Sequence, residues 1–215
     1  MTRKDELLDA AMNHAMFDGW SQKAIDAARA DLGMSPAEVK ALLPRGAVDL
    51  AVAYHRRGDM QMIELLRAED LSEMRFRDRI AHAVRLRLEI ADKELVRRGF
   101  SLFALPQHAA TGSRALWETA DHIWTALGDT SRDINWYTKR ASLSAVYSST
   151  ALYWLGDESA DNTATWAFLD RRIENVMQFE KAKARARENP LVSAFMKGPG
   201  KLLDLVHAPQ AGHGK

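Results

Sequence analysis

Residues able to do chemistry are present in this sequence, but their spacing does not build a recognisable reaction centre. Glu118 and His122 stand four apart, which on a helix can bring two metal ligands to one face. Di-iron bundles need Glu-x-x-His motifs with further carboxylates, and no Glu-x-x-His occurs. One carboxylate–histidine pair is more often a surface hydrogen bond, so no metal site and no cofactor is expected. The seven histidines are scattered and form no His-x-x-x-His pair. Ser148 and Ser149 fall within a helical stretch and have no base nearby in sequence. Phosphate-cradling glycine loops, the Gly-x-Ser-x-Gly elbow and the dinucleotide fingerprint are all missing. The chain has no cysteine, which removes disulfides, thiolate ligands and cysteine nucleophiles and suits a reducing compartment. No catalytic residue is assigned, and a non-enzymatic protein is expected.

The elements that would have to position such groups are helices. Across 215 residues nearly every apolar pattern has helical spacing and no alternating strand stands out, so the class read here is all-α. Leu7, Leu8, Ala11, Met12, Ala15 and Met16 make a first stripe, ended at Asp18-Gly19. Ser21 is placed to cap a second helix, with Trp20 and Ile25 as a hydrophobic staple. Ser35-Pro36-Ala37-Glu38 is a capping box with proline at the first helical position. These three short helices suggest a helix-turn-helix-like N-terminal unit. Its third helix, Ala37-Glu38-Val39-Lys40-Ala41-Leu42, is too poorly basic for a reader of base edges and phosphates. With 30 basic against 29 acidic residues, the overall charge gives no argument for nucleic acid either, and none is expected as a partner.

Further on, a helix from Ala47 is expected to close at Gly58, with Asp59 capping the next. Ser72 should start one long helix running to about Arg98, with Arg75, Arg77, Arg79, Arg85 and Arg87 on a solvated basic face. Phe100 to Thr111 reads as a connection, and Ser113 as the cap of a helix carrying Leu116, Trp117, Ala120, Ile123, Trp124 and Leu127. Thr163 opens a helix with Trp166, Phe168, Leu169, Ile173, Val176 and Met177 on its apolar side. Large apolar and methionine side chains in such a bundle suit a cavity for a hydrophobic ligand, and suit a plain core equally well.

Asp133-Ile134-Asn135-Trp136-Tyr137-Thr138-Lys139-Arg140 opens the helix before that one and sets two large aromatics side by side among charges. Neighbours on a helix point about 100° apart, so Trp136 and Tyr137 cannot both face squarely into one core. Either one lies on the surface as a contact for a partner or a membrane, or both sit at the edges of a wide apolar face. The other unusual stretch is terminal. After the polar run Glu180 to Glu188 and Pro190, apolar residues return as Leu191, Val192, Phe195 and Met196. Beyond Gly198-Pro199-Gly200 they continue as Leu202, Leu203, Leu205 and Val206. Lys197 and Lys201 fall on the polar side, which suits a two-piece interfacial membrane anchor; the alternative is a helix folded back on the core or on a second subunit. Residues from Ala208 onward should be disordered.

Trp124, the Asp133–Ala141 stretch and Thr165-Trp166-Ala167-Phe168-Leu169-Asp170-Arg171-Arg172-Ile173 together resemble the ubiquinone-biosynthesis accessory lipid-binding family of COQ9 type, in its shorter bacterial form. The resemblance implies a TetR-like helical bundle, homodimeric and without DNA binding, ending in an amphipathic helix. It implies a cavity for an isoprenoid quinone or other lipid, attachment to a membrane surface, and the di-iron demethoxyubiquinone hydroxylase as partner. The partner-facing positions it implies are Trp136, Tyr137 and Ile123, and the membrane-facing ones are the eight terminal apolar residues just named. The expected division is 1–58 for the helix-turn-helix-like unit, 59–187 for lipid binding and dimerisation, and 188–215 for tether, anchor and tail. Met1 to Glu6 has no apolar signal core, so the expected location is cytoplasmic, peripheral at a bacterial inner membrane. The rival reading is a TetR-like regulator that binds DNA and a hydrophobic effector.

Overall fold

The computed structural model describes residues 2–187, 208 and 209, and among these the regular structure is helical. The helices are α1 (Arg3–Asp18), α2 (Gln22–Asp31), α3 (Pro36–Leu42), α4 (Ala47–Ala68), α5 (Phe76–Glu89), α6 (Lys93–Phe103), α7 (Ala109–Ala126), α8 (Ile134–Leu155) and α9 (Thr163–Arg187). They form two compact units, one of residues 1–70 and 83–119, the other of 71–82 and 120–215. The expected anchor, Leu191 to Val206, lies outside the described residues.

In the first unit, the caps expected at Ser21 and Ser35 form, and Thr2 adds a third. Thr2 and Asp5 form a capping box on α1, Ser21 Oγ accepts from the Ala24 N–H, and Ser35 with Glu38 forms a second box on α3. Each cap satisfies N–H groups that have no partner within the helix. The stripes Leu7, Leu8, Ala11 and Ala15 of α1 and Ala24, Ile25 and Ala28 of α2 then bury against Val39, Leu43, Leu50, Ala51 and Leu95. Each leucine removed from water contributes about 1.5–3 kcal/mol. Trp20 is buried too, and its Nε1 donates to the Leu95 carbonyl at 3.0 Å. On α3, Glu38 is taken up by its cap and Lys40 donates to the Pro44 carbonyl at 2.8 Å.

The expected break at Gly58-Asp59 does not exist: α4 runs unbroken from Ala47 to Ala68, through the position where a domain boundary was expected. Both residues answer instead to Arg87 of α5. Asp59 is fully buried and accepts from Arg87 Nε at 2.7 Å, while Arg87, only 2 % exposed, also donates to the His55 carbonyl at 2.8 Å. A Cβ on residue 58 would stand 2.6 Å from Arg87 Cζ, so glycine is there to admit the guanidinium. Thr119 Oγ1 donates to the Asp59 carboxylate at 3.0 Å, and His55 Nε2 lies 2.7 Å from the same hydroxyl. Burial pushes His55 down to about 4, against the pull of Asp59, so the ring is neutral near pH 7. Arg87 is therefore a core residue rather than part of a solvated face.

The long helix expected from Ser72 to Arg98 is two helices. α5 ends at Glu89, and Asp92 caps α6 by accepting from the Leu95 N–H at 2.9 Å. α6 then continues through Gly99 to Phe103, and α7 begins at Ala109, so Phe100 is helical and the connection is only 104–108. Ser113 lies inside α7 and is not its cap. The start of α7 lies close against α6, since a Cβ on Gly112 would meet Phe103 Cβ at 2.7 Å.

The second unit is built from the start of α5, the end of α7, and α8 and α9. Asp133 caps α8 by accepting from the Asn135 N–H at 3.0 Å. At the start of α9, Asp157 accepts from the N–H groups of Ser159 and Thr165, both at 2.8 Å. Hydrogen bonds from Thr165 and Ser159 hold this carboxyl well below the usual carboxylate range. Leu143, Val146, Tyr147, Ala151 and Trp154 of α8 and Leu169 and Ile173 of α9 are buried. Among the described residues no helix is long and apolar enough to cross a membrane.

Candidate functional site

The first two turns of α8 divide their side chains between two surroundings. Asn135, Thr138, Lys139, Ser142, Leu143 and Val146 recur at spacings of three and four and line one side of a cavity of about 440 Å³. Phe76 and Ile80 of α5, Trp124 of α7, and Ile173, Val176 and Met177 of α9 form its apolar walls; Arg75 and Arg77 also line it. The Phe76 and Trp124 rings lie 5.6 Å apart at 35°. Trp124 is fixed by its Nε1, which donates to the Lys139 carbonyl at 3.1 Å. The volume falls within the ~300–1,000 Å³ typical of small-molecule pockets.

Lys139 brings the cavity its most tightly held charge. Its Nζ donates to Asp129 Oδ1 at 2.7 Å and to Ser131 Oγ at 2.6 Å, and lies 5.0 Å from the centre of the Trp124 ring. Asp129 is 2 % exposed and also accepts from Arg140 at 2.9 Å. Burial would raise the Asp129 carboxyl, but hydrogen bonds from Lys139, Arg140 and Ser131 outweigh it and hold the group at about 2. Arg75 pairs with Asp78 at 2.6 Å and Arg77 with Glu174 at 2.8 Å. Among the described residues the lining holds no carboxylate or histidine, and its side chains can bind, orient and donate hydrogen bonds.

Trp136, Tyr137 and Arg140 are not among the cavity's lining residues. Arg140 Nε donates to Asp121 at 2.6 Å, and its guanidinium carbon sits 4.0 Å from the Trp136 ring centre. Trp136 meets Tyr137 edge-to-face, with centroids 4.8 Å apart at 79°. Both rings are half-buried, as expected for adjacent helical positions. Ile123, placed with them by the family resemblance, is fully buried and is not available as a surface contact in this structure. It follows the α7 stripe into the core, where its branched side chain packs.

The residues that first invited a chemical reading are engaged elsewhere. Glu118 accepts from Arg56 Nε and Nη2, both at 2.8 Å, and no group of three or more acidic or histidine side chains that could hold a metal occurs among the described residues. Ser149 Oγ donates to the Ala145 carbonyl at 2.7 Å, an ordinary helical back-bond, and Ser148 does the same more weakly at 3.3 Å. At the other end of the chain, Ala208 donates its N–H to the Arg132 carbonyl at 2.9 Å, a contact not anticipated for an expected disordered tail. What the sequence missed was the cavity face of α8. Its signal was there, in Asn135, Thr138, Lys139 and Ser142 at helical spacing, but the aromatic pair between them drew the reading.

The helical arrangement is a TetR-like fold. It matches the structure of a TetR transcriptional regulator from Nitrosomonas europaea with a TM-score of 0.64, at 19 % identity, over 81 % of this chain and 97 % of that one. Within that fold, residues 109–180 match the family model COQ9, a segment that holds α7, α8 and most of α9. The chain is 32 % identical over 181 residues to the ubiquinone biosynthesis protein COQ9 of Drosophila melanogaster, covering 81 % of this chain and 55 % of that protein. It is 31 % identical to the human protein of the same name, over 80 % of this chain and 56 % of the relative. For the probable coq9 of Dictyostelium discoideum the identity is 29 %, over 84 % and 61 %. The family resemblance read from Asp133–Ala141 and Thr165–Ile173 is borne out. The chain spans a little over half the length of these relatives. All three are named as mitochondrial, which overturns the expectation of a cytoplasmic protein at a bacterial inner membrane.

Proposed function

We propose that this chain is a non-enzymatic accessory protein of ubiquinone biosynthesis, which binds an isoprenoid quinone intermediate and presents it to the demethoxyubiquinone hydroxylase. The observation that carries this is the cavity of about 440 Å³ whose polar side is the Asn135–Ser142 face of α8 and whose other walls are mostly apolar, with Arg75 and Arg77 at the start of α5. An isoprenoid chain entering it gains about 25 cal/mol for each Å² of apolar surface removed from water. The ring pair Phe76 and Trp124 suits a planar head group, and Lys139 and Asn135 offer donors to ring oxygens. Presentation needs no acid, base or metal from this chain.

The same two helical turns carry the proposed docking surface, Trp136 and Tyr137, on residues outside the cavity lining. A hydroxylase seated there would lie one helix width, about 10–12 Å, from a ligand on the opposite side of α8. The terminal apolar residues Leu191, Val192, Phe195, Met196, Leu202, Leu203, Leu205 and Val206 are proposed as the membrane contact, and a homodimer as the assembly. A DNA-binding reading is disfavoured by α3, whose two charged side chains are both engaged locally. The test is mass spectrometry of lipids extracted from protein purified from a quinone-producing host. A co-purifying isoprenoid quinone or precursor, lost on Ile80→Trp substitution, is expected; an extract no different from a control protein's would count against the proposal.

A further inference from the structure

A second cavity of about 440 Å³ adjoins the first, and Ser142, Val146 and Val176 line both. Its remaining lining comes from Ala145 and Ser149 on α8 and from Arg172 and Asn175 on α9. Along α8 the lining positions Asn135, Thr138, Lys139, Ser142, Leu143, Ala145, Val146 and Ser149 all fall on one side of the helix. At 1.5 Å per residue that track is about 21 Å long. Either cavity alone sits toward the low end of the ~300–1,000 Å³ range for small-molecule sites. A planar head group with a few isoprene units would fill the first, and a longer chain would have to leave it.

We infer that one linear isoprenoid chain occupies both cavities, passing between α8 and α9 at Ser142, Val146 and Val176, and that this passage sets which chain lengths the protein accepts. This rests on the lipid-binding function proposed above and adds to it a route for the tail and a residue set for length selection. Two features favour the direction of travel. The first cavity holds the ring pair Phe76 and Trp124 and the tethered Lys139 amine, which suit an oxygenated head. The residues shared by the two cavities are small or β-branched, and Ser142 alone among them carries a polar side chain. Ala145 lines only the second cavity and is exposed on α8, so a large side chain there fills the tail's path without entering the first cavity.

The full chain is incubated with phosphatidylcholine vesicles carrying equal amounts of a short-tailed ubiquinone (two isoprene units) and a long-tailed one (eight or more). The ratio of long to short quinone captured is read by mass spectrometry. Ala145→Trp is expected to lower that ratio at least ten-fold, Val176→Trp to lower it similarly, and Val176→Ala to raise it. An unchanged ratio in Ala145→Trp, with normal helical circular dichroism, overturns the inference while leaving lipid binding intact. If Ala145→Trp instead alters only the sedimentation coefficient, the second cavity belongs to an interface between copies of this chain and the inference fails. Capture of neither quinone by the unaltered protein would sink the lipid-binding function itself, and the passage with it.

Discussion

Each of the two units buries a carboxylate against an arginine, yet the surroundings of the two pairs differ. In the first, Asp59 and Arg87 are closed in by Thr119, the His55 carbonyl and the open side of Gly58. In the second, Asp129 is shared between Arg140, which stacks on Trp136, and Lys139, which reaches a cavity wall. The same ionic chemistry therefore serves two ends. Where every donor and acceptor ends on protein, the pair fixes helix packing. Where one cation borders open space, the buried acid orients a group that a ligand can meet.

The largest effect should come from breaking the closed pair. Arg87→Met leaves Asp59 buried without its counter-charge and should cost about 3–5 kcal/mol of stability, measured by urea denaturation. A loss below about 1 kcal/mol would mean that Asp59 is not buried as described. Next comes acid sensitivity. His55 is held at about 4 when folded against 6.5 when unfolded, so below pH 6.5 the unfolded chain binds a proton that the folded one refuses. Stability should fall as pH drops from 6.5 to 4, by about 3 kcal/mol in all, and the fall should largely vanish in His55→Gln.

The open cluster should respond lower on the pH scale and less strongly. Asp129 titrates near 2 when folded and near 3.8 otherwise, so its contribution is present above 3.8 and lost as pH falls toward 2. Asp129→Asn at neutral pH should cost about 2 kcal/mol, in the range for a lost charged hydrogen-bond partner. It should also weaken quinone capture, because Lys139 loses its tether; capture unchanged beside a destabilised fold would make the second cluster as purely structural as the first. The smallest stability effect is expected for Trp136→Ala with Tyr137→Ala, about 1–2 kcal/mol for two half-buried rings. Hydroxylase retention in a pull-down should nonetheless fall more than ten-fold, and a variant that unfolds outright would return both rings to the core.

Where the sequence misled, the cause was a residue with a local and a distant explanation. Gly58-Asp59 has the composition of a helix stop followed by a cap, and only the arrival of Arg87 from another helix shows that the pair is spacing and charge for a guanidinium. Arg87 itself sits among other arginines, yet it stands seven residues after Ile80 and three after Val84, so its period puts it on the inner face of α5 and only its charge argued for solvent. The capping boxes at Thr2 and Ser35 and the apolar stripes of α1, α2 and α8 follow from interactions within a few residues. Those are the parts that spacing can show.

The sequence by itself determined the helical class, the starts of α2, α3, α4, α8 and α9 and, with Asp133–Arg140, the family resemblance, because caps, periodicity and a dense motif are local properties of the chain. Tertiary structure alone decided that α5 and α6 are separate and that Asp129 joins Lys139 to Arg140. It also decided that Asn135, Thr138, Lys139 and Ser142 face a cavity while the aromatic pair between them does not. A cavity is space left by side chains from three or more helices, and no single segment records the volume that its neighbours fail to fill.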